Sequence, residues 1–304
     1  MHPSIQLLPL LIDMAKERSD GGVLMPPKQG MYLGPGHFFH AMIASSASHG
    51  MAVCKWIGLA PSDGRLSGQQ SHSTLLLSEL ATGKLRRVMD GDPITLIRTV
   101  ALSLAGHVAS RRPLPTSLGF IAGGRQAIEH LQAFLEYYPS INEVHLHEAR
   151  PRGMTAFQQI ASSRGVACFV HGSSVPVLEE CDVLVTTVPG TSTELGFLDM
   201  CRTRENAFIC AVDLGRSWNT RQVSEAAPYL MTDDLPQTQA LINADSFPLA
   251  LPFHTDLPAA ISGRASCPLS GRIMFAFAGN AWADLAGAIW APENVFPIPA
   301  VDFV

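Results

Sequence analysis

The spacing of apolar and polar positions changes character near residue 113. Before it, short apolar runs at residues 31–33, 38–44, 51–57 and 73–80 are separated by Gly, Pro, Ser and Asp, the punctuation of strands and turns. Thr82-Gly83 reads as a tight turn and residues 85–89 as the return strand of a hairpin. Two helical patterns frame this β-rich layer. Residues 1–14 carry an apolar stretch broken by Pro9 and Asp13; with neither the basic leader nor the small-residue cleavage site of a signal peptide, they predict an amphipathic first helix. Residues 95–109 predict a second helix with Thr95 as its N-cap and an apolar, small-residue face, ended at Arg111-Arg112-Pro113.

After Pro113 the pattern becomes that of a parallel sheet. Residues 117–131 run from an apolar strand through two glycines into Gln126, Ala127, Ile128 and Leu131 at helical spacing. Strand, glycine turn and helix, in that order, open a dinucleotide fold: glycines admit a pyrophosphate close to the backbone, and the helix N-terminus favours its charge. The fingerprint here departs at its first position, Ala122-x-Gly124-x-x-Ala127, with alanine where the tight-turn glycine is expected. Residues 144–148 read as a second strand ending in Glu148, close to where an acid holding the adenosine ribose belongs. Residues 181–189 form a strand stopping at Thr186, Thr187, Val188 and Pro189, and residues 207–213 another, ending in Asp213 before Gly215. Four such strands with helical intervals predict an α/β fold with a Rossmann-type parallel sheet beside a β-rich α+β domain. The cofactor-contacting positions expected from this pattern are Ala122, Gly123, Gly124, Arg125, Gln126, Glu148, Thr186, Thr187, Val188 and Asp213.

Composition narrows the field. The chain has 304 residues, 47% of them hydrophobic and 15% charged, which suits two full cores. With 21 basic against 26 acidic residues, a nucleic-acid or anionic-membrane surface is not expected, and no run approaches membrane-spanning length. The 6 cysteines are scattered, mostly in apolar runs and without a C-x-x-C pair, so buried thiols in a reducing cytoplasm are expected.

Two cations stand out chemically. Lys55 interrupts an apolar strand and Arg98 sits in the first turn of the second predicted helix. A buried unpaired cation is costly, so each faces a cavity or an anion, or else Lys55 snorkels from a solvated strand face and Arg98 pairs with an internal acid such as Asp90 or Asp92. In the functional version Arg98 grips a substrate carboxylate with its planar fork, and Lys55 donates a proton or polarises a C=N or C=O group.

The order of motifs, Lys55, Thr82-Gly83, Asp90-Gly91, Thr95, Arg98-Thr99, the Gly119 to Ala127 turn, Thr186-Thr187-Val188-Pro189 and Gly279-Asn280-Ala281-Trp282-Ala283-Asp284-Leu285-Ala286, resembles the ornithine cyclodeaminase/μ-crystallin family over nearly the whole chain. The resemblance implies a substrate-binding and dimerisation domain over residues 1–113, a dinucleotide domain over 114–289, and a tail, 290–304, returning to the first. It implies a homodimer that uses NADH or NADPH to reduce a small imino acid, with Lys55 at the substrate, Arg98 on its carboxylate and Lys28 where many members carry a second carboxylate-binding arginine. The cyclodeaminases place a catalytic aspartate two residues past a glycine. Here Asp213-Leu214-Gly215 exchanges acid and glycine, which favours a simple reductase over ornithine cyclisation. Asp213 is then a catalytic or ribose-contacting acid, or a strand-terminal one. The reading that follows is a reductase of Δ1-pyrroline-2-carboxylate or its six-membered homologue in the cytoplasm. An ornithine cyclodeaminase, a keto-acid reductive aminase and a non-catalytic ligand binder are the alternatives. Glu148 argues for NADH, while Arg150 and Arg152 suit the 2′-phosphate of NADPH, so use of both is expected.

Other constellations come out plain. His145, His147 and Glu143 alternate along one strand and are expected to be a half-exposed polar face, with no metal. No nucleophile-elbow motif accompanies the serines and histidines, which excludes a hydrolase of that kind. Pro292 is expected to stop a helix through Leu285 and Ile289.

Overall fold

In the computed structural model, the described residues are 1–34, 37–60, 71–148, 151–190, 192 and 194–292; the Arg150 position, the Arg152 side chain and most of the expected tail fall outside them. The chain opens with α1 (Pro3–Ser19), whose Leu7, Leu8, Leu11, Met14 and Ala15 recur at helical spacing and are buried together. It then runs through β1 (Val23–Leu24), β2 (Gln29–Gly34), β3 (His37–Ser46), β4 (Met51–Leu59), β5 (Ser71–Glu79) and β6 (Leu85–Asp90). These strands make an antiparallel sheet in the order β1-β3-β4-β5-β6, with β2 on β3. Alternation along β4 puts Val53 and Lys55 on the covered face and Trp56 on the open one, and the register sets Lys55 between Met42 and Leu75. Lys55 is therefore inside, and it does not snorkel.

The helix α2 (Gly91–Ser110) starts earlier than the spacing predicted. Asp90 is its N-cap, accepting from the Asp92 N–H at 2.9 Å, so Thr95 and Arg98 lie inside the helix and not at its start. α2 is buried along most of its length, between the antiparallel unit and the parallel sheet.

The second half follows as β7 (Ser117–Ile121), α3 (Arg125–Tyr137), β8 (Glu143–His147), α4 (Pro151–Ser163), β9 (Ala167–Val170), α5 (Val175–Glu180), β10 (Val183–Thr186), β11 (Phe208–Ala211), α6 (Thr220–Ala226), β12 (Tyr229–Thr232), α7 (Leu235–Asn243), β13 (Thr255–Asp256), α8 (Leu257–Ile261), β14 (Ile273–Ala276) and α9 (Ala281–Trp290). All strand pairs here are parallel, in the order β13-β12-β14-β11-β10-β7-β8-β9. This is the Rossmann arrangement the glycine turn implied, carried to 8 strands where the apolar runs showed four. The extra strands are only two to four residues long, too short to show a period. The strand order reverses between β7 and β10, with β8 and β9 added on one side of β7 and β10 on the other, and that switch point is where such sheets hold ligands.

α9 follows the last strand of the parallel sheet in sequence, yet it packs on α1, α2, β3 and β4. Gly287 permits the approach, because a Cβ there would meet Ile94 Cγ2 at 2.6 Å. Among the described residues no helix is long and apolar enough to cross a membrane. The cysteines are free, but only Cys181 and Cys210 are fully buried and Cys201 is exposed, so the expected burial of most thiols is corrected.

Candidate functional site

A cavity of about 480 Å³ opens between the two sheets, lined among others by Lys28, Lys55, Arg98, Gln126, Thr187, Val188 and Asp213. Seven of the sequence-proposed positions, drawn from both halves of the chain, thus face one space.

Its charged floor centres on a residue that the sequence pattern left without a role. Asp284, in the first turn of α9, is fully buried. Lys55 Nζ lies 3.0 Å from its Oδ1 and 2.8 Å from its Oδ2, and Arg98 Nε donates to Oδ1 at 2.9 Å. The acid partnering Arg98 is therefore Asp284, and not Asp90 or Asp92, which cap α2 and hold Ser73. Burial alone would push the Asp284 carboxyl up, but the charges and hydrogen bonds of Lys55 and Arg98 hold it below the usual carboxylate range. The α9 N-terminus adds to the same effect. Two cations on one anion leave the cluster with a surplus positive charge. The terminal guanidinium nitrogens of Arg98 make no hydrogen bond among the described residues. Thr95 accepts from Lys55 Nζ at 3.3 Å.

Burial lowers the Lys55 ammonium to about 8, the effect being tempered by Asp284. Lys28 is also lowered to about 8 by burial; its Nζ donates to the Ala278 carbonyl at 3.0 Å, and among the described residues no carboxylate pairs with it. Burial, with Lys28 and Lys55 nearby, brings His40 down to about 4, so its ring is neutral beside the Tyr32 hydroxyl at 3.0 Å.

The opposite wall is the C-terminal edge of the parallel sheet. Ala122 follows β7 with φ of 72°, in the left-handed region, so the turn keeps its shape without the expected glycine. Gly123 N–H donates to Glu148 Oε2 at 2.7 Å, which brings the end of β8 against the turn. Gly124 precedes α3, and a Cβ added there would meet nothing within 4 Å. That helix has no side-chain cap bond and no acid in its first turn, leaving its first N–H groups free for an anion. The open space at Gly124 and the uncapped helix fit a dinucleotide pyrophosphate. Arg125 faces elsewhere, into a separate hollow of about 660 Å³ with Trp56, Asp90 and Asp92.

Thr187 closes the switch point: its N–H donates to the Ile121 carbonyl at 3.1 Å and its hydroxyl to the Ala122 carbonyl at 3.3 Å. Asp213 is buried and accepts from Thr186 at 3.0 Å, from Gly215 N–H at 3.2 Å and from Ser217 at 2.7 Å. Burial pushes its carboxyl up to about 6 against those bonds. The acid organises the loop after β11, in which Leu214 takes φ of 62° and Arg216 turns back against Gly190. His40, Tyr32 and Arg216 line the cavity from tertiary packing, and Asp284 lies buried behind Lys55 and Arg98; of these four, only Asp284 had a sequence signal, its place in the Gly-x-Ala-x-x-Asp block.

The match to known proteins agrees with this arrangement. The family model for ornithine cyclodeaminase/mu-crystallin matches residues 5–227. The chain belongs to that family. It is 26% identical over 183 residues to a Delta(1)-pyrroline-2-carboxylate reductase of Burkholderia multivorans, covering 58% of this chain and 56% of that protein. The chain thus spans about half the length of the curated relatives it matches. By fold it resembles the Thermococcus litoralis Delta(1)-pyrroline-2-carboxylate reductase solved with NADH and L-proline, with a TM-score of 0.78, 17% identity, and 93% of this chain and 90% of that one covered. An archaeal alanine dehydrogenase dimer with bound NAD superposes with a TM-score of 0.80 at 22% identity, over 94% and 90% of the two chains. At these identities the structural likeness concerns the fold.

Proposed function

We propose that the chain reduces a small cyclic imino acid, Δ1-pyrroline-2-carboxylate or its six-membered homologue, with NADH or NADPH. The observation that carries this reading is the Lys55–Asp284–Arg98 cluster, whose surplus positive charge faces the same cavity as the β7–α3 turn. The named relatives point the same way.

Gly123, Gly124, Gln126 and the N-terminus of α3 would hold the pyrophosphate, Glu148 the adenosine ribose, and Thr187 and Val188 the nicotinamide end. When bound, the dinucleotide supplies the hydride. Arg98 presents its free guanidinium edge to the substrate carboxylate and fixes the ring in the cavity. Lys55, kept as an ammonium at neutral pH by Asp284, hands a proton to the imine nitrogen, so that C=N becomes CH–NH. Lys28 adds a second positive charge for the carboxylate. Asp213 holds Thr186 and Ser217 and acts on the loop, so among the described residues no free carboxylate is left in this part of the cavity for ammonia chemistry on ornithine.

The open face of the antiparallel sheet supports a homodimer. Ile43, Trp56, Leu76 and Val88 are 47%, 46%, 40% and 39% exposed on neighbouring strands. Of these, Ile43 and Leu76 border an apolar groove of about 450 Å³ that also includes Leu24, Cys54 and Leu85.

Loss of reduced nicotinamide absorbance with Δ1-pyrroline-2-carboxylate, run with NADH and with NADPH beside an ammonia assay on L-ornithine, tests the reading. Consumption of reduced cofactor without ammonia is expected. Ammonia release with no consumption would replace the reductase by a cyclodeaminase.

A further inference from the structure

The strand predicted as a half-exposed polar face is otherwise in the structure. His145 is buried, with a side-chain exposure of 3%, and its partners come from two other elements. Its Nδ1 lies 3.0 Å from Nε2 of His171, just after β9, and 3.2 Å from Oε2 of Glu180 at the end of α5. The three ligand atoms lie within 4.8 Å of one another, and the two rings are within 7° of parallel. His147 takes no part, its Nδ1 being 3.1 Å from the His171 carbonyl oxygen.

A single nitrogen facing both an imidazole nitrogen and a carboxylate is over-subscribed. If Nδ1 carries the proton, one donor serves two acceptors. If His171 donates instead, the Glu180 carboxylate confronts a bare lone pair. A cation at the common focus satisfies all three. Metal–nitrogen bonds of ~2.0–2.1 Å and metal–oxygen bonds of ~2.0–2.2 Å put neighbouring donors of a tetrahedron roughly 3.3–3.5 Å apart, a few tenths of an ångström beyond the spacing seen. The two nitrogens point at each other, with ring centroids 5.2 Å apart and planes within 7°, so binding an ion also turns His171, on the surface side of the cluster, until its lone pair meets the ion, and Glu180 follows it. Metal on Nδ1 also fixes the tautomer: Nε2 then carries the proton, and this buried atom, which has no hydrogen-bond partner, has Glu143 Oε2 at 3.8 Å.

We propose that His145, His171 and Glu180 form a binding site for a divalent transition-metal ion such as Zn²⁺, with water completing the coordination. The ion would clip β8 to the segment leaving β9 and to α5, and β9 is the last strand on that side of the parallel sheet. It is a structural clamp on a sheet edge, separate from the charged cavity and independent of the reaction proposed for it.

The test uses the full chain stripped with a chelator, then titrated with Zn²⁺ and with Co²⁺ as a spectroscopic probe. One ion per chain is expected, with visible Co²⁺ bands of nitrogen and oxygen ligation and a higher thermal midpoint with Zn²⁺. His171→Ala, at a partly exposed position that leaves folding intact, should weaken binding by at least tenfold and abolish the thermal shift, as should Glu180→Gln to a smaller degree. His49→Ala, at another surface histidine, should bind as the parent does. No uptake by the parent chain, equal uptake by His171→Ala, or a thiolate charge-transfer band from Cys201 would each overturn the site.

Discussion

The two walls of the cavity are built on opposite principles. The wall proposed to face the substrate is made of charged side chains brought together from β4, α2 and α9, with Lys55 and Arg98 sharing one buried acid far away in sequence. The sheet-edge wall is made of backbone: a left-handed Ala122, an open space at Gly124 and an uncapped helix, all within a few residues. Long-range charge pairing gives the first wall strength and orientation, but every member depends on the others. Local turn geometry gives the second wall tolerance, since each part forms with its neighbours in the chain.

The largest effect should come from removing the shared anion. Asp284→Ala strands two buried cations and should cost about 3–5 kcal/mol of stability, read from the urea midpoint, together with loss of the proposed reductase activity. A cost below about 1 kcal/mol would mean that the charges are not dry. Arg98→Ala keeps the Lys55–Asp284 pair and should raise transition-state energy by roughly 2–4 kcal/mol, mostly through KM; unchanged kinetics would remove Arg98 from the substrate. On the other wall, Gly124→Val should leave the urea midpoint within about 0.5 kcal/mol because its side chain enters open space. The same change should weaken dinucleotide binding by about 1–2 kcal/mol in a fluorescence titration.

Acidity separates the walls further. Lys55 is lowered to about 8, so its proton is present below that pH and lost above it. The rate of imine reduction should therefore fall about tenfold per pH unit above pH 8, while dinucleotide affinity, resting on backbone N–H groups, stays flat. A rate that is level to pH 10 would free Lys55 of the proton-donor role. The smallest change is Ala122→Gly. Relief of a left-handed alanine, offset by the added freedom of glycine in the unfolded chain, should stabilise the chain by ~0.5–1 kcal/mol without altering turnover.

Much of the sheet-edge wall could be read from residues 117–131 and the strand ends at Thr186 and Asp213, because strand, turn and helix are encoded by neighbouring residues. Lys55 and Arg98 also announced themselves, as cations in apolar surroundings. Their partner did not. Asp284 stands in a helix whose own pattern says only that it is apolar, and its proximity to Lys55 depends on α9 folding back past the end of the parallel sheet onto the antiparallel one. The N-cap of α2 lies at Asp90, five residues before the Thr95 that spacing predicts, for a related reason: packing on β5 accompanies the extension of the helix back to it. His145 is a third instance, placed on a polar strand face by alternation but covered by α5 in the structure.

Local order along the chain was thus enough for the dinucleotide-type turn, the parallel sheet and the two conspicuous cations, since propensity, period and glycine geometry act over a few residues. Tertiary structure alone decided that Asp284 joins those cations, that Asp213 is tied into its own loop, and that His145 meets His171 and Glu180. A buried charge reaches its partner through the fold, at sequence separations where no periodicity survives.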